Sequence, residues 1–137
     1  MPTRDNLQNI DQIYQSAGHP VQPTVGRESR KRVSILFIDI VGSTTLAEQL
    51  DPEALHQIMD RYFAACVAAI EDHGGVVEKF IGDAVLAAFG ATVTHEDGAL
   101  RAVRAAADSL SGLRDLSTEL AASHQVSLEA RCGICSG

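Results

Sequence analysis

Hydrophobic and polar positions along the chain follow two periods, and the switches between them divide it into elements. Val33-Ser-Ile-Leu-Phe-Ile-Asp-Ile40 is apolar and β-branched, the pattern of a buried strand. Val41-Gly-Ser-Thr-Thr45 then turns into a short helix, for which Ser43 or Thr44 is the expected N-cap. Asp51 and Pro52 start a longer helix, Asp51 as its cap and Pro52 in its first turn. Leu55, Ile58, Met59, Tyr62, Phe63, Cys66, Val67 and Ile70 repeat along it at spacings of three and four, which makes one core-facing stripe. Gly74 and Gly75 end that helix. Val76 to Ile81 and Ala84 to Phe89 read as two strands, and Gly82-Asp83 between them signals a tight hairpin. A helix from about His95 to Ala122 follows, with Leu100, Val103, Ala107, Leu110 and Leu113 expected on one side. Gly98 and Gly112 weaken its continuity. Val126 to Ile134 reads as a last strand.

The resulting order, β-α-β-β-α-β with the first helix in two pieces, predicts an α+β domain. Its expected core is a ferredoxin-like antiparallel sheet covered by helices on one face. The globular domain is expected over 32–137. Residues 1–31 read as a tail or linker, broken by Gly18, Pro20, Pro23 and Gly26. Leu7, Ile10 and Tyr14 fall at helical spacing there, which leaves open a short helix that docks on a partner subunit.

Composition narrows the function classes. A chain of 137 residues, 45% of them hydrophobic, suits one domain with a real core. The net charge of −7 argues against nucleic acid as a partner, because only Arg27 to Arg32 is locally basic. A small phosphate ligand remains compatible with an acidic protein, since metals and backbone amides can hold it. No apolar run approaches the roughly 18 to 20 residues that span a bilayer. The N-terminus has no signal-peptide core, so a cytoplasmic protein without a membrane segment is expected. Cys66, Cys132 and Cys135 then read as free thiols. Cys132-Gly-Ile-Cys135 has CxxC spacing but no second CxxC, and strand residues three apart face opposite ways.

Three polar residues break apolar surroundings. Asp39 lies within an apolar strand, where an unpaired carboxylate is costly, so it needs a lysine, an arginine or a metal. The Gly42-Ser43-Thr44-Thr45 turn after it opens a helix, whose free N–H groups favour anions. Asp83 is either an ordinary turn residue or a second ligand. In the expected topology the first and third strands are central neighbours, so the end of one meets the start of the other. Asp39 and Asp83 can thus converge, and cations are needed between them. Oxygen ligands of this kind suit magnesium or manganese with bound phosphates. Lys79 is either an exposed strand lysine or a donor to a ligand held near the hairpin.

Val33 to Gly90 resembles the class III adenylate and guanylate cyclase catalytic domain. The pieces that carry the resemblance are Leu36-Phe-Ile-Asp39-Ile-Val-Gly-Ser-Thr44, Leu50-Asp-Pro-Glu53 and His73-Gly-Gly-Val-Val-Glu-Lys79-Phe-Ile-Gly-Asp83-Ala-Val-Leu-Ala-Ala-Phe-Gly90. His95-Glu-Asp-Gly-Ala-Leu-Arg-Ala102 and Arg131-Cys-Gly-Ile-Cys-Ser-Gly137 are weaker echoes. The joint spacing of Asp39, Lys79 and Asp83 is more specific than any one motif.

The resemblance implies an adenylate cyclase that converts ATP to 3′,5′-cyclic AMP and pyrophosphate, for signal transduction. Asp39 and Asp83 would hold two Mg²⁺ or Mn²⁺ ions, with the Ile40 carbonyl assisting. The backbone of Ile40, Val41, Gly42, Ser43 and Thr44 would cradle phosphates. Lys79 would read the purine: a lysine donor suits adenine N1, whereas guanine presents an N–H there. The family's sites lie at a head-to-tail interface, so a homodimer or a heterodimer with another cyclase domain is expected. The family pattern continues past Gly137 with a second purine-reading residue, a ribose-positioning Asn and a transition-state Arg. The chain alone is therefore expected to make little cyclic AMP. The alternative is a non-catalytic nucleotide- and metal-binding partner of a complete cyclase chain.

Overall fold

The computed structural model describes residues 31–93 and 96–137. The short helix read from Leu7, Ile10 and Tyr14 lies outside the described residues, as does His95.

The elements are β1 (Ser34–Val41), α1 (Ser43–Gln49), α2 (Pro52–Asp72), β2 (Val76–Ile81), β3 (Ala84–Phe89), α3 (Gly98–Ser123) and β4 (Glu129–Ser136). They build one four-stranded sheet in the order β2-β3-β1-β4. Each neighbouring pair is antiparallel. This is the expected ferredoxin-like arrangement, with β1 and β3 at the centre.

The helices cover one face of the sheet only. Ser34, Leu36, Ile38 and Ile40 point into the core, together with Val77, Phe80, Val85, Ala87 and Phe89 of the neighbouring strands. The other face of β1 carries Ile35, Phe37, Asp39 and Val41, in the alternating burial of a half-covered strand. Reading β1 as a fully buried strand is thus corrected. Its apolar outer residues reflect an open sheet face, on which Phe37 and Val41 are exposed.

The long helix α2 forms where its signals predict. Asp51 accepts a hydrogen bond from the Ala54 backbone N–H at 2.7 Å, and Pro52 begins the helix. Ile58, Met59, Tyr62, Phe63, Cys66 and Ile70 are buried beneath it. Phe63 meets Phe80 edge to face at 4.8 Å, which ties the helix to β2.

Two boundaries and one helix face differ from expectation, while α3 is the single helix expected. Gly42, not Ser43 or Thr44, is the N-cap of α1; it is left-handed (φ 75°) and no side chain caps the turn. Helix α3 is unbroken from Gly98 through Gly112 to Ser123. Strand β4 begins at Glu129 rather than Val126 and runs on to Ser136. Along α3 the buried residues are Ala102, Ala105, Ala106, Ser109, Leu113, Leu116 and Leu120. Of the expected inner set only Leu113 is buried; Leu100 and Val103 are 47% and 52% exposed. Small side chains in the first half let α3 approach α2 and the sheet closely, and the larger apolar residues are turned outward.

Candidate active site

The end of β1, the turn into α1 and the β2–β3 hairpin meet at one rim of the sheet. The β1–β3 ladder ends with Ile38 opposite Val85. One further step brings Asp39 level with Ala84, next to Asp83. Both carboxylates act on the buried Tyr62 phenol, whose O–H donates to the Ile38 carbonyl at 3.4 Å. Burial pushes that phenol far above its ordinary range, and the charges of Cys66, Asp83 and Asp39 add to the shift. The β1–β3 register thus brings Asp39 and Asp83 to the same rim of the sheet.

Asp39 does not lie unpaired. Its position in β1 is directly opposite Arg131 in β4, and an Arg131 Nη donates to Asp39 Oδ2 at 3.3 Å. The Asp39 side chain is 21% exposed, that of Arg131 74%. Of the counter-charges the sequence calls for, the structure supplies an arginine. Its number in the chain does not reveal this, because the contact depends on the β1–β4 register.

Asp83 follows Gly82, which takes a left-handed φ of 61° at the first turn position and so closes the hairpin without strain. The Ile40 side chain is buried, Val41 is exposed, and Gly42 opens the turn. The first intrahelical bond of α1 runs from the Leu46 N–H to the Gly42 carbonyl at 3.2 Å. The N–H groups of Ser43, Thr44 and Thr45 therefore lie outside the helical ladder. Ser43, Thr44 and Asp83 also line a cavity of about 350 Å³, together with Leu46, Leu55 and Met59.

Lys79 reaches the open sheet face by way of a β-bulge. Val77 pairs with Ala87 and Lys79 with Leu86, so Glu78 is the extra residue. Val77 and Phe80 consequently both point into the core, although they are three residues apart. Lys79 shares the outer face with Phe37 and Asp39, with β3 between it and β1. Backbones two strands apart in a sheet are separated by roughly 10 Å. The site residues thus fall into a cluster of Asp39, Asp83, the 40–44 turn and Arg131, with Lys79 at one remove.

The donor set fits a hard divalent cation. Among the described residues no three His, Cys, Asp or Glu side chains gather. Asp39, Asp83 and the Ile40 carbonyl offer oxygen donors only, the kind that hard divalent cations take, unlike the Cys and His sets of zinc sites. The CxxC pair makes no such site. Cys132 pairs with the core-facing Ile38, Cys135 pairs with Ile35 on the other face, and all three cysteines are free. Among the described residues no helix is long and apolar enough to cross a membrane.

Known proteins share this arrangement. Residues 25–137 match the family model described as the adenylate and guanylate cyclase catalytic domain. An uncharacterized Mycobacterium tuberculosis protein is 40% identical over 98 residues, which are 69% of this chain and 18% of that protein. The crystal structure of the guanylyl cyclase Cya2 is 33% identical with a TM-score of 0.73; the similarity covers 80% of this chain and 55% of that one. The adenylyl cyclase CyaB from P. aeruginosa is 31% identical with a TM-score of 0.75, covering 80% and 57%. The chain therefore spans less than a fifth of such curated relatives and little more than half of these solved domains. The family model spans most of the chain and solved cyclase domains share its fold: the chain belongs to the class III adenylate and guanylate cyclase catalytic domain family.

Proposed function

We propose that this chain provides the metal- and triphosphate-binding half of an adenylate cyclase site, which turns ATP into 3′,5′-cyclic AMP and pyrophosphate. The observation that carries the reading is the convergence of Asp39 and Asp83 on one rim beside the N–H groups of the 43–45 turn. When bound, two Mg²⁺ or Mn²⁺ ions would favour ionisation of the ribose 3′-hydroxyl and offset the triphosphate charge. Asp39, Asp83 and the Ile40 carbonyl would hold them. The backbone from Ile40 to Thr44, through Val41, Gly42 and Ser43, would orient the phosphates for in-line attack of the 3′-oxygen on the α-phosphorus. Lys79 would donate to adenine N1, which favours ATP over GTP.

A second cyclase domain, identical or not, would complete the site across the open sheet face. The exposed Phe37, Val41 and Ile81 on that face suit such a partner. Lys79 would then serve the site whose metals the other subunit holds. The setting proposed for this chemistry is the cytoplasm.

The test pairs binding with turnover. Asp39→Ala and Asp83→Ala should each remove manganese binding while the domain keeps its cooperative unfolding. Parent-like binding in both variants would rule out the metal assignment. Mixed with a complete homologous cyclase domain, the parent should support cyclic AMP formation, and Lys79→Glu should lower ATP use relative to GTP. An unchanged ratio would take Lys79 out of the purine pocket.

A further inference from the structure

The two flanks of α3 are unlike. On the side toward α2 its polar groups are paired. An Arg101 Nη donates to the His73 carbonyl at 3.0 Å, Asp108 Oδ2 lies 2.7 Å from His73 Nε2, and Glu119 accepts from Arg61 at 2.7 Å. The other flank, on the side of the edge strand β4, is apolar. Leu100, Val103, Ala107 and Leu110 follow one another there at steps of three, four and three, which makes one line on a helix surface. Leu100, Val103 and Ala107 are exposed and Leu110 is half-buried. An open cavity of about 320 Å³ continues the line, between Leu110 and Arg114 of α3 and Leu128 and Ala130 at the sheet edge.

The spacing of this line reads the same in both directions. Glu96, two residues ahead of the helix, and Arg114 extend it at its ends, so the steps become four, three, four, three and four. Let α3 of a second copy lie antiparallel, with the two-fold axis midway between Val103 and Ala107. Every member of the line then faces another: Leu100 meets Leu110, Val103 meets the small Ala107, and Glu96 meets Arg114 at both ends. That is an apolar seam closed by an acid and a base at each end, as in a short antiparallel coiled coil. A two-fold contact uses the same patch on both copies, so a patch must be complementary to itself, and this one is. We propose that the β4-side flank of α3 pairs two copies of this chain. The helices and the open sheet face lie on opposite sides, so this contact leaves free the surface to which a second cyclase domain was assigned above. Both contacts together would link pairs into tetramers. The inference does not rest on the reading of the metal site. One helix flank is small beside the roughly 1,200–2,000 Å² of a stable interface, so the pairing is weak and concentration-dependent.

Sedimentation velocity of the full chain from about 10 µM to 1 mM reads contacts of this strength. Phe37→Asp, on the open sheet face, serves as the background, so that only the α3 contact is counted. Association should persist in that background, and adding Val103→Asp should leave a monomer. Arg114→Glu should weaken association by about tenfold, because two symmetry-related exposed pairs turn repulsive. Combining it with Glu96→Arg should restore the parent affinity, which no other docking surface would explain. A monomer at the highest concentration overturns the proposal, whether the line stays bare or residues 1–31 cover it. Association that survives Val103→Asp, or that the double charge exchange fails to rescue, overturns it as well. Thermal unfolding checks each variant, and Leu100→Ser gives the same reading should Val103→Asp melt early.

Discussion

Three glycine-to-alanine substitutions should give three different outcomes, because the added methyl meets three different surroundings. At Gly75, between α2 and β2, a Cβ would stand 2.5 Å from Phe89 Cε1, 2.6 Å from Cζ and 2.9 Å from Ile70 Cγ2. Phe89 and Ile70 are both fully buried, so neither ring nor methyl has room to withdraw. Overpacking a core typically costs ~1–3 kcal/mol, and two immobile neighbours put Gly75→Ala at the upper end, about 3 kcal/mol. At Gly112, inside α3, the methyl meets Ala65 Cβ at 3.7 Å, an ordinary contact. There alanine should stabilise by about 0.5–1 kcal/mol, through lower unfolded-state entropy and better helix propensity. At Gly133 on β4 nothing lies within 4 Å, so the change should be close to neutral. In a domain of this size 1 kcal/mol moves the melting temperature by roughly 4–8 °C. Gly75→Ala should therefore melt more than about 10 °C below the parent, and Gly112→Ala a few degrees above it. Calorimetry, with urea unfolding to check that the m-value is constant, reads the series. If Gly75→Ala and Gly112→Ala shift the midpoint alike, the packing around the start of β2 is not as described.

Two further expectations concern the thiols. With a thiol reagent at pH 8, exposed Cys135 should react first and Cys132 more slowly, while buried Cys66 should react only on unfolding; equal rates would contradict the placement of β4. Burial, the larger cause, and the nearby Cys132 push the Cys66 thiol from 9.0 to about 12. The folded chain therefore keeps a proton there that the unfolded chain gives up. That contribution to stability is complete below about pH 9 and should be lost between pH 9 and 12, at about 1.4 kcal/mol per pH unit for the group. Tyr62, raised in the same sense, steepens the loss above pH 10. Urea midpoints that stay level from pH 8 to 11 would refute this.

Much of the scaffold was legible because its signals are local. The Asp51-Pro52 start, the stripe from Ile58 to Ile70 and the Gly82-Asp83 hairpin each depend on residues a few positions apart. Asp39 and Asp83 also stood out, since a carboxylate is conspicuous in apolar strands. The inner face of α3 escapes a reading based on the periodicity of large residues. The contact is made instead by Ala102, Ala105, Ala106 and Ser109, whose smallness is the reason they fit. The cap of α1 differs for a related reason: Ser43 and Thr44 have capping hydroxyls, whereas the turn requires the left-handed backbone of Gly42. The pairing of Arg131 with Asp39 is invisible to local patterns because the two lie 92 positions apart. Only the strand register joins the two.

The extra residue in β2 has an implication for the base contact proposed for Lys79. A regular strand would put Val77 and Lys79 on the same side, so Lys79 would point into the core beneath the helices. Glu78 therefore acts as a spacer that decides which side of the sheet position 79 meets. Deleting Glu78 should turn the strand regular, with Val77 inward, Lys79 outward and Phe80 inward, and leave the hairpin register as it is. The opposite change is the harmful one: a strand that keeps Glu78 but loses the bulge must either bury Lys79 or expose Phe80. Chimeras that swap this hairpin between cyclase domains must therefore match the number of residues in the strand to the presence of the bulge.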